Sequence, residues 1–397
     1  MKKVLTKKIL PRYNMGVDRQ ENNIEKEGND MMTYEERTKD NAYKISMFRM
    51  KQQLPYEAKV QYAASRVREF YDRMGGDVFV AVGGLDSITL LVFIRSLKLD
   101  VPAVSVSSLE DKSIQRVQKE LGVERLRPAL RPDGKPWRKV DIIRQFGYPV
   151  LSKEIASKIA LLQHPTGQNA TVRHAILTGE TGEFGGNRTG SRMKLAQKWL
   201  DLFGGSDPDG AAMGYKAAPF LVSDKCCYYL KEKPCDDYAK KTGRYPYMGL
   251  MASEGGRRAK SLMLNGCNYY GKTTTRSAPF AIFSRQDVLQ LALDLAVPVP
   301  DIYGEIVRDP DGTLRTTGAQ RTGCSMCGFG IQMEKRPHRF DLLHARNPKE
   351  WDFWMNQCDT DVNGDPCGWG RVLDYIGVEW RQDDEGQMRR NKKGEKS

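Results

Sequence analysis

The chain has 397 residues, 40% hydrophobic and 9% aromatic, enough for one large α/β domain with additions or for two domains, and too apolar for a disordered chain. With no run of roughly 18 apolar residues, no membrane-spanning helix is expected. The net charge of +13 suits an acidic partner, either nucleic acid or a small polyanion, and equally a well-solvated surface.

The opening MKKVLTKKILPRYNMGVDRQ is basic but lacks the apolar stretch of a secretory signal, so a cytoplasmic location is expected. In that reducing compartment the eight cysteines read as metal ligands, catalytic thiols or core residues rather than disulfides. Residues 1–50 are polar and aperiodic and read as a flexible or loosely attached arm. PYEAKVQYAASRVREFYDRM (55–74) has helical spacing at Val60, Ala63, Ala64, Val67, Phe70 and Tyr71, and Gly75 and Gly76 end it. DVFVAV (77–82) reads as a buried strand, GGLDS as a turn, and ITLLVFIRSL as an apolar helix ending near Leu99. VPAVSVSS (101–108) is the next strand and DKSIQRVQKELG the next helix, closed by Gly122. This alternation predicts an α/β fold with a parallel twisted sheet.

Residues 160–215 are rich in Gly, Asn and Thr and read as an insertion on that sheet. SRQDVLQLALDLA (284–296) is a further helix, N-capped by Ser284. KRPHRFDLLHARNPKEW, with His338 and His344, reads as a surface helix, and Trp351, Trp354 and Trp369 as packing. The expected organisation is an arm (1–50), an α/β domain with its insertion (51–335), and a helical C-terminal extension with a basic tail (336–397).

AVGGLDSITLL places two glycines between a strand and a helix. Gly83 and Gly84 let the backbone pass close to a phosphate, the helix start at Asp86 and Ser87 aims N–H groups at an anion, and Ser87 adds a hydroxyl. The alternative is a tight turn that binds nothing.

KCCYYLKEKP holds adjacent thiols at Cys226 and Cys227, and RTGCSMCGFG holds a glycine-flanked Cys-x-x-Cys at Cys324 and Cys327. Four thiolates suit zinc or an iron–sulfur cluster. Neighbouring side chains diverge, which suits a four-iron cluster offering each thiolate its own iron better than one tetrahedral ion. A 4Fe–4S cluster is therefore favoured, with zinc the alternative metal.

VGGLDS resembles the SGGxDS motif of PP-loop enzymes, with Val82 in place of the leading serine and one hydroxyl contact fewer. The tandem cysteines followed far downstream by Cys-x-x-Cys resemble the adenylyl-sulfate and phosphoadenylyl-sulfate (PAPS) reductase family. GGRRAKS resembles that family's G-x-R-R-x-x-S segment, and SAPFAIFSRQDVLQLAL the stretch after it, so the resemblance covers residues 55–330 in order. It implies the adenine-nucleotide α-hydrolase fold and ATP or adenylyl sulfate/PAPS at Gly83, Gly84, Asp86 and Ser87. It further implies oxyanion contacts from Arg257, Arg258 and Ser261, and a cluster-adjacent positive charge from Lys231.

Reductases of this family form a thiosulfonate on a cysteine within E-C-G-L-H near the C-terminus, and no such motif is present. PCGWG makes Cys367 the candidate nucleophile, while Cys235 and Cys267 read as core residues. Three functions stay open. One is reduction of adenylyl sulfate or PAPS with a thiol or redox-protein donor. Another is ATP-dependent sulfur transfer to tRNA or DNA. The third is a non-catalytic, metal-stabilised protein that binds nucleotide or nucleic acid. A homo-oligomer is compatible with each.

Overall fold

The computed structural model describes residues 33–106, 110–180, 193–205 and 215–382, without the side chains of Tyr34 and Arg257. Val78, Phe79 and Val80 of β1 (Val78–Ala81) are fully buried, as an interior strand of a parallel sheet requires. In chain order there follow β2 (Ala103–Ser105), β3 (Glu124–Arg125), β4 (Val150–Leu151), β5 (Tyr245–Met248), β6 (Asn268–Tyr270) and β7 (Thr275–Ser277). The central sheet has the order β3-β2-β1-β5-β7-β6, parallel throughout except for the edge strand β6. Val80 lies opposite both Ala103 and Tyr247, and Tyr247 opposite Ser277. The fold is thus mixed α/β with a mostly parallel central sheet.

The chain leaves β1 through the helix Leu85–Ser96 toward β2 on one side and returns on the other side at β5. Strand order reverses at β1, the position at which open α/β sheets place ligands, at the carboxyl ends of the strands. The glycine turn sits at that point. Around the sheet, Tyr56–Arg73 buries Ala63, Val67 and Phe70, and Arg285–Asp294 starts at Ser284, whose hydroxyl accepts from Asp287 N at 3.2 Å.

Part of the segment expected to be an aperiodic arm is a helix, Tyr34–Gln52. Thr33 and Glu36 form a reciprocal capping box at its start, and Phe48 anchors it in the main core. Residues 1–32 and the tail from 383 lie outside the described residues, as do 181–192 and 206–214 of the expected insertion. The described part of that insertion carries the helices Ala170–Thr178 and Gln197–Phe203, and Lys153–Gln163 runs into it.

Further along, β8 (Ile306–Arg308) and β9 (Leu314–Thr316) form a hairpin, β10 (Gly328–Phe329) joins β4, and β11 (Asp359–Thr360) pairs with β12 (Pro366–Cys367). A second core unites Tyr148, Val150, Trp199 and Val222 with Met326, Phe340, Trp354 and Trp369. The tryptophans pack as expected. His338, in contrast, is not a surface residue: it is 2% exposed, and its Nδ1 accepts from Asp341 N at 3.2 Å to cap the helix Arg339–Arg346. No described helix is long and apolar enough to cross a membrane.

Candidate nucleotide and metal site

The two cysteine pairs meet on a common template, residues 148–151. Tyr148 N donates to Leu221 O at 2.8 Å and Ser223 N to Tyr148 O at 3.1 Å, which fixes the chain just before Cys226. β4 then pairs in parallel with β10, Gly328 opposite Val150, which fixes the chain just after Cys327. Two glycines permit this. A Cβ on Gly147 would stand 2.2 Å from the Leu221 carbonyl carbon, and one on Gly328 would stand 2.4 Å from the Trp369 ring.

Cys327 N donates to Cys324 O at 3.1 Å to close the Cys-x-x-Cys turn. Cys226 and Cys227 lie in the helical turn Lys225–Cys227, which widens into a π turn over Tyr228–Glu232 before Lys233–Thr242. Burial pushes the Cys226 thiol up to about 12, with Cys227, Cys324 and Cys327 adding to the effect and Lys139 opposing it. Burial likewise pushes Cys227 up to about 11, against Lys153 and Lys231. The four thiols therefore lie within electrostatic reach of one another. Yet no three or more His, Cys, Asp or Glu side chains among the described residues are set to hold a single metal ion.

Three lysines surround the thiols. Lys231 has its charge opposed by burial but favoured by Cys324, Glu110 and Cys227, for a net upward shift, and it hydrogen-bonds Cys324. Lys153 pairs with Glu232 and is felt by Cys227. Lys139 is 3% exposed and donates to Ser325 O, inside the Cys-x-x-Cys turn, with its ammonium 5.4 Å from the Trp354 ring centroid. No carboxylate pairs with it among the described residues. A buried cation without an acid is costly unless an anion lies nearby, so this donor set fits an anionic metal–thiolate centre.

At the glycine turn, Ser87 Oγ accepts from Gly83 N at 2.7 Å and donates to Gly84 O at 2.9 Å. Leu85 N donates to Tyr303 Oη at 3.1 Å, and Tyr303 Oη bonds Thr322 Oγ1 at 2.5 Å. A Cβ on Gly84 would lie 2.3 Å from Tyr303 Oη, so glycine is required there by the tyrosine. Gly249, at the end of β5, closes in behind, where a Cβ would be 3.0 Å from Ser87 N. The Asp86 carboxylate pairs with Arg285, whose Nη2 donates to Gln320 O at 3.1 Å. Burial moves the Asp86 carboxyl up, against Arg285 and Arg321. Val82 is 6% exposed and packs in the main core.

A polar path leads from the turn to the thiols. Gln118 Nε2 donates to Gly83 O at 2.9 Å and to Glu110 Oε2 at 3.0 Å, and Lys231 Nζ reaches Glu110 Oε1 at 3.4 Å. Lys231 then bonds Cys324. On the opposite flank, Arg258 Nη1 lies 3.5 Å from Glu254 Oε2, and its charge is felt at Lys153 and Arg276. Ser261 Oγ accepts from Arg276 Nη2 at 3.1 Å, and the Arg257 side chain lies outside the description.

Cys367 lies in β12 opposite Asp359. Burial, then Asp359 and Asp361, move its thiol up against Arg371. Cys358 is buried and donates to Trp354 O at 3.2 Å. Burial pushes Cys235 and Cys267 up to about 11, and Cys267 packs in the main core. Sequence reasoning missed Glu110, Gln118, Lys139, Arg285, Tyr303 and Thr322. Only the flanking position of Thr322, two residues before Cys324, carried any local signal.

No family model matches the chain, and no curated protein matches it. Among solved structures it is similar to a crystal structure of phosphoadenylyl-sulfate (PAPS) reductase from Candida auris in a phosphate complex. That chain is 10% identical, the match covers 71% of this chain and 98% of that one, and the TM-score is 0.32.

Proposed function

We propose that the chain is a PP-loop-type enzyme of sulfur metabolism, similar to the PAPS and adenylyl-sulfate reductases. It would bind an adenine nucleotide at Gly83, Gly84, Asp86 and Ser87 and carry a 4Fe–4S cluster on Cys226, Cys227, Cys324 and Cys327. The observation that carries this reading is the path from Gly83 through Gln118, Glu110 and Lys231 to Cys324. It ties a glycine turn at the sheet's reversal point to four gathered thiols, so that one bound molecule is served by both.

The helix amides beyond Gly84 hold phosphate oxygens, and Arg258 reaches a sulfate or phosphate oxyanion with its fork of donors. Lys231 shares its charge between Glu110 and the thiols. When bound, the cluster supplies one-electron redox capacity and fixed negative charge. A single zinc ion would need its sulfurs about 2.3 Å from one point, and no described group is set that tightly.

A second reading is ATP-dependent sulfur transfer to tRNA or DNA, since the chain has no E-C-G-L-H motif of the kind the reductases use. The net charge of +13 suits such an acceptor. The test is anaerobic purification with iron and sulfide analysis, then turnover of adenylyl sulfate, PAPS and ATP. Iron with sulfite release establishes the reductase. Iron with pyrophosphate release from ATP and no sulfite moves the assignment to sulfur transfer. Zinc alone, with no turnover, reduces the protein to a metal-stabilised nucleotide or nucleic-acid binder.

A further inference from the structure

We propose that Lys139 is the internal counter-ion of the metal–thiolate centre and sets its reduction potential. This rests on the cluster reading above. Lys153 and Lys231 each have a carboxylate of their own, Glu232 and Glu110. Lys139 has none among the described residues, and it is the most buried of the three. Its helix, Lys139–Phe146, begins at this lysine, and the ammonium reaches the Ser325 carbonyl between Cys324 and Cys327 with the Trp354 ring beside it. A hydrogen bond to one carbonyl does not neutralise a buried charge. Four thiolates on an iron–sulfur core do, because that centre is anionic.

An electron added to the centre increases its negative charge, so a fixed cation beside it favours the reduced form. Lys139 is thereby a positioning residue for charge, acting through the centre and touching no substrate. Its side chain is dry, so solvent screens it little.

The experiment uses the full-length protein purified anaerobically, with Lys139→Met, Lys139→Gln and, for comparison, Lys153→Met. Glutamine retains a donor for the Ser325 carbonyl without the charge, which separates hydrogen bonding from electrostatics. Both Lys139 variants should keep their iron and shift the reduced-to-oxidised ratio about tenfold toward the oxidised form, or about 59 mV for one electron. Lys153→Met, losing a cation already paired with Glu232, should shift it less than about threefold. In a second arm, iron is removed by chelation and thermal unfolding is followed. There Lys139→Met should melt higher than the unmodified chain, since it removes a buried charge deprived of its anion.

Potentials of both Lys139 variants no further shifted than that of Lys153→Met would overturn the proposal while leaving the cluster in place. A lower melting temperature for iron-free Lys139→Met would also overturn it, showing that the side chain serves packing. If the unmodified protein contains no iron, the cluster reading fails and this proposal, which rests on it, falls with it.

Discussion

Tyr303 Oη accepts the Leu85 backbone N–H at 3.1 Å, in the first turn of the helix whose amides are proposed above to hold phosphate. The same hydroxyl is bonded at 2.5 Å to Thr322, two residues before Cys324. A phosphate that reaches the Leu85 amide must displace Tyr303, and with it the hold on the strand of chain that leads into the thiol turn. The tyrosine ring is 3% exposed in the main core, so Tyr303→Phe keeps the packing and removes only the competitor. Affinity for ATP or pyrophosphate should rise about 2- to 10-fold, the worth of one hydrogen bond, measured by titration calorimetry. Weaker binding would make Tyr303 a ligand contact instead.

Glu110 is the middle of the path between the glycine turn and the thiols, with a side chain 6% exposed against 38% for its partner Lys231. Solvent on the lysine side discounts the pair. Glu110→Gln should therefore lower unfolding stability by about 1 kcal/mol in urea, mostly from the weakened hold on Lys231. In a double-mutant cycle with Lys231→Met the coupling should be about 0.5 kcal/mol or more. Strict additivity of the two substitutions would mean that the path carries no energy.

Gly328 lies where β10 meets β4, against Trp369. Gly328→Ala should cost about 1–3 kcal/mol through overpacking and reduce the iron bound, because Cys327 is the preceding residue. Gly167, with nothing within 4 Å of its Cβ position, is the comparison. Gly167→Ala should change stability by less than about 0.5 kcal/mol and leave iron content alone. Equal effects of the two would contradict the close contact with Trp369.

The helix that begins at Lys139 has its own acidic brace. Hydrogen bonding from the Arg138 side chain, against burial and with help from the Arg138 N–H and Arg131, lowers Asp141 from 3.8 to about 2. A folded value below the unfolded one means stability that is complete above about pH 4 and is lost as the pH falls through about 2. Asp141→Asn should cost about 1 kcal/mol at neutral pH, with the difference from the unmodified chain shrinking below about pH 4. Urea unfolding across that range reads it. A difference independent of pH would assign the effect to packing.

The buried run DVFVAV, the helix Tyr56–Arg73 and the Ser284 cap were legible in the sequence, because burial period and capping chemistry depend on residues a few positions apart. The Tyr34–Gln52 helix was missed, since its capping box was present but, among its described side chains, the face toward the core carries one deep anchor, Phe48. His338 was read as exposed from its charged neighbours, yet its partners Asp341 N and Glu379 O make burial tolerable.

By itself, the sequence determined the alternation of strands and helices, the glycine turn between β1 and its helix, and the two separate cysteine pairs. Each is written in adjacent residues. Only the tertiary structure decided that residues 148–151 seat both cysteine pairs, that Tyr303 occupies the Leu85 amide, and that Lys139 is buried with no carboxylate partner among the described residues. Those relations join residues far apart in the chain, through ladder hydrogen bonds, van der Waals limits at Gly147 and Gly328, and unscreened charge, and no local pattern encodes any of the three.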